Sequence, residues 1–105
     1  MRNETTRGQL DLLVLSVLES GPLHGYGVVS ELRRRSGGEL EMAEGALYPA
    51  LHRLERSGLL ASEWDEDAPR RRRVYRLTRA GRAALAGRRR EWTSFAAAVH
   101  KVVSA

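Results

Sequence analysis

Residues 44–60 constrain this chain more than any other stretch, because they read as a one-sided helix, a glycine stop and the entry to a strand. Leu47, Leu51 and Leu54 recur at i, i+4 and i+7, which places them on one helical face. On a wheel of ~100° per residue, Gly45, Tyr48, Pro49, His52, Arg53 and Arg56 fall on the other face. A helix with such a leucine stripe must be covered on one side by the rest of the chain. Its other side carries two arginines, an aromatic hydroxyl and small residues near its N-terminal end, where a partner can approach closely. That face suits insertion into a groove of DNA.

The 105 residues suffice for one compact domain with a thin core, since a chain this size buries roughly two-thirds of its unfolded surface. There is no cysteine, so neither disulfides nor thiolate metal sites can reinforce it. Dimerisation is the remaining common reinforcement. The N-terminal residues Met1, Arg2, Asn3 and Glu4 carry no secretory pattern. The first apolar run, residues 10–18, contains Asp11 and Ser16 and is too short to span a bilayer. These features lead to the expectation of a soluble, cytoplasmic protein with no membrane partner.

Charge is distributed unevenly. Net charge is +5, seventeen of the eighteen cations are arginine, and residues 70–90 hold ten arginines and no acid. Guanidinium forks bind phosphate in two-point geometry, so the acid-free block suits a polyanion. Arg70, Arg71, Arg72 and Arg73 form its densest part. Strand alternation sends Arg71 and Arg73 to one side and Arg70 and Arg72 to the other.

Taken in order, Thr5 or Thr6 is suited to cap a first helix reaching about Glu19, apolar on most sides and therefore buried. Gly21 and Pro22 stop it. A second helix follows on Val28, Val29 and Leu32, closed by the basic turn Arg33, Arg34 and Arg35. His24 and Tyr26 at its start read as structural, with Tyr26 packed under the first helix. Glu39, Leu40, Glu41 and Met42 alternate as one short strand. After the central helix, residues 59–64 and 72–77 read as the two strands of a hairpin with a charged tip. Thr78 then caps a helix running to about Val103, roughly 38 Å long at ~1.5 Å per residue, too long for a domain this small. Leu85, Trp92, Phe95, Ala96, Val99, Val102 and Val103 form a stripe along it at heptad-like spacing, as a dimer interface requires. The fold class is mostly α with a small β-hairpin: a winged helix-turn-helix over residues 1–77, plus a long C-terminal dimerisation helix over 78–105, packed as one unit.

Three runs carry a family resemblance: Leu23-His24-Gly25-Tyr26; Glu44-Gly45-Ala46-Leu47-Tyr48-Pro49-Ala50-Leu51-His52-Arg53-Leu54-Glu55; and Arg71-Arg72-Arg73-Val74-Tyr75-Arg76-Leu77-Thr78. Together they resemble the PadR family of bacterial transcriptional regulators, in its short branch with a single C-terminal helix. The resemblance implies a homodimeric repressor bound to an inverted-repeat DNA operator. It implies DNA contacts from Gly45, Ala46, Tyr48, Pro49, His52 and Arg53 of the third helix, and from Arg70, Arg71, Arg72 and Arg73 of the wing. It also implies that Trp92 can face its symmetry mate, where a small aromatic effector stacks. Three positions depart from the family pattern: Ala43 replaces a hydroxyl cap, Ala46 replaces a frequent threonine, and Ala68-Pro69 replaces a Gly-Gly tip.

Enzyme chemistry finds no support. The three histidines lie on separate predicted elements, and no zinc-protease, phosphate-loop or nucleophile-elbow motif occurs. Asp65, Glu66 and Asp67 read as a solvated tip. The expectation is no catalytic residue, no metal and no cofactor. Two other classes fit the same fold: a winged helix that holds a protein partner, and a drug sensor centred on Trp92.

Overall fold

The computed structural model describes residues 7–105, with Arg7 described by its backbone alone. Its elements are α1 (Arg7–Leu18), β1 (Leu23–His24), α2 (Gly25–Arg35), α3 (Glu44–Arg56), β2 (Leu60–Asp65), β3 (Arg72–Leu77) and α4 (Arg79–Val103). The three strands form one antiparallel sheet in the order β1-β3-β2. This is the expected winged helix with a long last helix. The expected capping residues, Thr5 and Thr6, lie outside the described residues.

The core explains the arrangement. Apolar residues on several sides of α1 put it in the centre, where Val14, Leu15 and Leu18 are fully enclosed. The α3 stripe Leu47, Leu51 and Leu54 closes on it, and Leu60, Tyr75 and Leu77 seal the sheet side. α3 ends in a Schellman motif: Gly58 N–H donates to the Glu55 carbonyl and Leu59 N–H to the Leu54 carbonyl, each at 3.0 Å. Gly58 has φ 79°, a left-handed conformation that costs a side-chain-bearing residue strain. The strand therefore starts at Leu60, one residue later than expected, because the Leu59 N–H is already committed.

Thr78 caps α4, as expected. Its hydroxyl accepts from the Gly81 N–H at 3.0 Å and donates to the Gly58 carbonyl at 2.6 Å. One threonine thereby ties the start of the last helix to the end of α3.

Two local expectations are corrected. Residues 39–42 form no strand, although their burial alternates: Leu40 makes only an isolated bridge. Its N–H is taken by the Ser36 hydroxyl at 3.0 Å, which replaces a strand neighbour. The third strand comes instead from Leu23 and His24, which pair with Tyr75 and Val74. Tyr26 does not pack under α1 and is 60% exposed. The buried residues of α2 are Gly25, Val28, Val29 and Leu32, and Tyr26 stands ~100° around the helix from Gly25.

The molecule measures 54 × 31 × 21 Å. The long dimension reflects α4, in which only Gly81 and Leu85 are buried. Among the described residues, no helix is long and apolar enough to cross a membrane.

Candidate nucleic-acid interface

The leucine stripe of α3 fixes which residues its free face presents. Gly45, Ala46, Tyr48, Pro49, His52 and Arg56 are all exposed. Ala43 occupies the N-cap without a side-chain hydrogen bond, so the first turn rests on its backbone carbonyl, which accepts from Ala46 and Leu47. Pro49 lies inside the helix, lacks an N–H and leaves the Gly45 carbonyl without its helical donor. An added Cβ at Gly45 would meet nothing within 4 Å. The front of the helix is bare backbone, as its small residues suggest.

Tyr48 has a seat that spacing along the chain did not disclose. An added Cβ on Gly25 would come within 2.7 Å of the Tyr48 hydroxyl and 2.9 Å of its ring. The missing side chain at the start of α2 is therefore the space in which the phenol lies. Tyr48 remains 44% exposed, so its other surface is available.

Arg53 is placed differently from expectation. Its Nη2 donates to Asp11 Oδ1 on α1, and its side chain is only 24% exposed. Asp11 is buried, and its other oxygen lies 3.5 Å from Arg88 Nη1 on α4. Arg53 therefore belongs to an internal ion cluster and leaves the free face to its neighbours. Arg56, about one helical turn further on, takes a more open place. It lines a cleft of about 500 Å³ with His52, Glu55 and Arg73, between α3 and the wing.

The wing arginines divide as strand alternation requires. Arg71 and Arg73 lie over the Trp64 ring, their guanidinium carbons 4.2 and 5.0 Å from its centroid. Such cation–π contacts hold a guanidinium without neutralising it. Arg73 Nε also donates to the Ser62 hydroxyl at 2.7 Å, which donates to Glu55 of α3 at 2.6 Å. That relay joins the wing to the helix beside it. Arg72 points to the opposite side, 3.7 Å from Asp65, and donates to His24 Nε2 at 3.3 Å. Burial, then the Arg72 charge, holds His24 below the ordinary imidazole value, with Asp65 opposing. Arg71 also pairs with Glu66 at 3.2 Å, and Arg70 is exposed. The four arginines do not converge on one track.

On α4, Leu85 is enclosed in the core of the domain itself, which removes it from the expected dimer stripe. It joins the core cluster near the start of α4, before the helix leaves the domain. Trp92, Phe95, Val99, Val102 and Val103 are exposed, the last two at 81% and 74%, and Ala96 is half-buried. Trp92 and Phe95 lie 6.3 Å apart, centroid to centroid, with rings tilted by 43°. They border a groove of about 510 Å³ between α1 and α4, together with Leu12, Asp11, Arg88 and Glu91. Among the described residues no cluster of His, Cys, Asp or Glu is suited to hold a metal ion.

Asp11, Gly25, Trp64 and Ser62 were not singled out from the sequence for these roles. Each acts through a partner distant in the chain or on a neighbouring strand. Trp64 had the clearest prior signal, since it stands opposite Arg73 once the hairpin register is drawn.

Comparison with known proteins agrees with this architecture. The model of the Transcriptional regulator PadR-like family matches residues 14–87. Transcriptional regulator Rv3488 of Mycobacterium tuberculosis is 44% identical over 87 residues, covering 83% of this chain and 78% of that protein. The solved structure of a transcriptional regulator from Clostridium thermocellum is 30% identical, with a TM-score of 0.83 and 90% of both chains covered. Bacillus subtilis PadR, solved in complex with operator DNA, is 24% identical with a TM-score of 0.67, covering 74% of this chain and 45% of that one. At that identity the last likeness carries the fold alone.

Proposed function

The chain belongs to the PadR-like family of transcriptional regulators, and from that premise we propose that it is a repressor binding an inverted-repeat DNA operator as a homodimer. The observation that carries this reading is the exposed face of α3 beside the arginine wing, with His52, Arg56 and Arg73 lining the cleft between them. α3 enters the major groove by its first turns, and Gly45, Ala46, Tyr48, Pro49 and His52 meet base edges and sugars. Arg56 and the wing arginines Arg70, Arg71 and Arg73 take phosphates, with Arg72 reaching the backbone from the other side of the wing. Phosphate contacts supply most of the affinity, and the few groove contacts supply the choice of sequence. A dimer presents two such helices about 34–36 Å apart.

The exposed stripe on α4 supports the homodimer, with Trp92, Phe95, Ala96, Val99, Val102 and Val103 as the contact residues. The groove beside Trp92 favours a small, flat aromatic effector. Its volume lies within the ordinary range for small-molecule sites, about 300–1,000 Å³. Such a ligand releases DNA only by binding one spacing of the two reading helices better than the other.

Fluorescence anisotropy on a labelled duplex at two salt concentrations tests the central claim. Binding should weaken with salt by roughly 0.9 log unit per log unit for each phosphate neutralised. Tyr48→Ala should lower affinity for a selected duplex about tenfold and leave thermal stability nearly unchanged. Absence of salt-sensitive duplex binding would favour a protein-binding winged helix instead.

A further inference from the structure

We propose that Asp11 is a positioning residue that couples the root of α4 to the reading helix α3, an inference that rests on the DNA-binding reading above. Three elements meet at this one carboxylate. Arg53, from the last turn of α3, donates to Oδ1, and Arg88, one turn beyond the last buried residue of α4, lies 3.5 Å from Oδ2. The Asp11 side chain is only 12% exposed, so water contributes little to its solvation and the two guanidinium groups carry most of it. A buried charge that loses one partner leans harder on the other.

The two guanidinium groups hold different oxygens of one carboxylate and so draw on the same single charge. If Arg88 moves away with α4, Asp11 turns more fully to Arg53 and α3 is held more firmly. If Arg88 closes in, the hold on Arg53 relaxes. The carboxylate also borders the groove with Trp92 and Phe95, so a change of packing in that groove acts on the same atoms. A neighbouring ion pair supplies an internal control. Arg89 makes two bonds to Glu19, at 2.9 and 2.8 Å, and so ties α4 to the turn that follows α1, while among the described residues no hydrogen bond or ion pair joins Glu19 to α3.

Amide hydrogen exchange on the free, full-length protein tests the coupling without DNA. Arg88→Met should slow exchange at residues 50–56 about threefold, although the substitution is on another helix. Asp11→Asn should hasten it by a similar factor, and Arg89→Met should leave it unchanged. Coupling is reciprocal, so Arg53→Met should slow exchange at residues 86–90, which gives a second measurement should Asp11→Asn fail to fold. On DNA, Asp11→Asn frees Arg53, so its binding to a random duplex should gain about one unit of salt slope. Its preference for a duplex selected from a random pool should fall about tenfold. Faster exchange at residues 50–56 in Arg88→Met and Arg89→Met alike would show mere docking of α4 and overturn the proposal, as would no change in any variant. Wild type that ignores duplex DNA would instead sink the DNA reading and leave the exchange result readable.

Discussion

Gly25 and Gly81 look interchangeable in the sequence, as small residues near the start of a helix, and the structure separates them. A Cβ on Gly81 would stand 2.1 Å from the Leu59 carbonyl oxygen, which is backbone held by the Thr78 N–H. Gly81→Ala should therefore cost about 3 kcal/mol, read as a lowered midpoint in thermal unfolding. The three atoms nearest a Cβ on Gly25 all belong to the Tyr48 side chain, which can swing into solvent. Gly25→Ala should leave the melting midpoint within a few degrees, and it should weaken selected-duplex binding about as much as Tyr48→Ala. His24 gives a test of the other side of the wing. Its folded pKa is depressed below 6.5, so the stabilisation it contributes is present above that value and is lost as pH falls beneath it. An NMR titration should place its midpoint below 6.5, and Arg72→Gln should raise it only part of the way, because burial is the larger cause. The exposed residues of α3 were legible from helical period alone. The inward turn of Arg53 was not, because its partner Asp11 lies 42 positions earlier and nothing in local spacing links them.

Elements were legible where they were long enough to show a period. α3, the hairpin and α4 each repeat their pattern over several residues, and β3 was read with the bounds it has. β1 has two residues between a proline and a glycine, too few for alternation to show. The stretch 39–42 alternates and is still no strand, because burial pattern does not reveal what a backbone N–H bonds to. The start of α3 is the element's weakest point. Ala43 has φ −69° and ψ 139°, the extended conformation of a capping residue, but has no oxygen to offer. Ala43→Ser should stabilise the protein by about 1 kcal/mol in denaturant unfolding. The same change should slow amide exchange in the first turn of α3. If selection of DNA sequence needs that turn to adjust, the stabilised variant should also discriminate less between duplexes.

At the scale of the molecule, Arg88 and Arg89 pair with Asp11 and Glu19, and the large apolar residues of α4 beyond them are exposed. Trp92→Ala combined with Val99→Asp should yield monomers in sedimentation and lose selected-duplex binding, with the winged core still folded by circular dichroism. An intact dimer would contradict the proposed interface. Leu85→Ala should act differently, opening a cavity in the core and costing about 2–5 kcal/mol of stability. The period of the stripe could not separate these cases, since Leu85 and Trp92 occupy equivalent heptad positions. What separates them is where the helix leaves the domain.

The two tryptophans of the chain have a practical consequence. Trp64 lies under Arg71 and Arg73 on the wing, and Trp92 borders the groove on α4. Each candidate surface thus carries its own intrinsic fluorophore, and a Phe substitution at either one leaves a single-emitter protein. On the proposed DNA binding, emission from Trp64 should report its arginines leaving the ring for phosphate. On the proposed dimer, emission from Trp92 should report the packing of the long helices, so the two events could be timed separately in one unlabelled molecule.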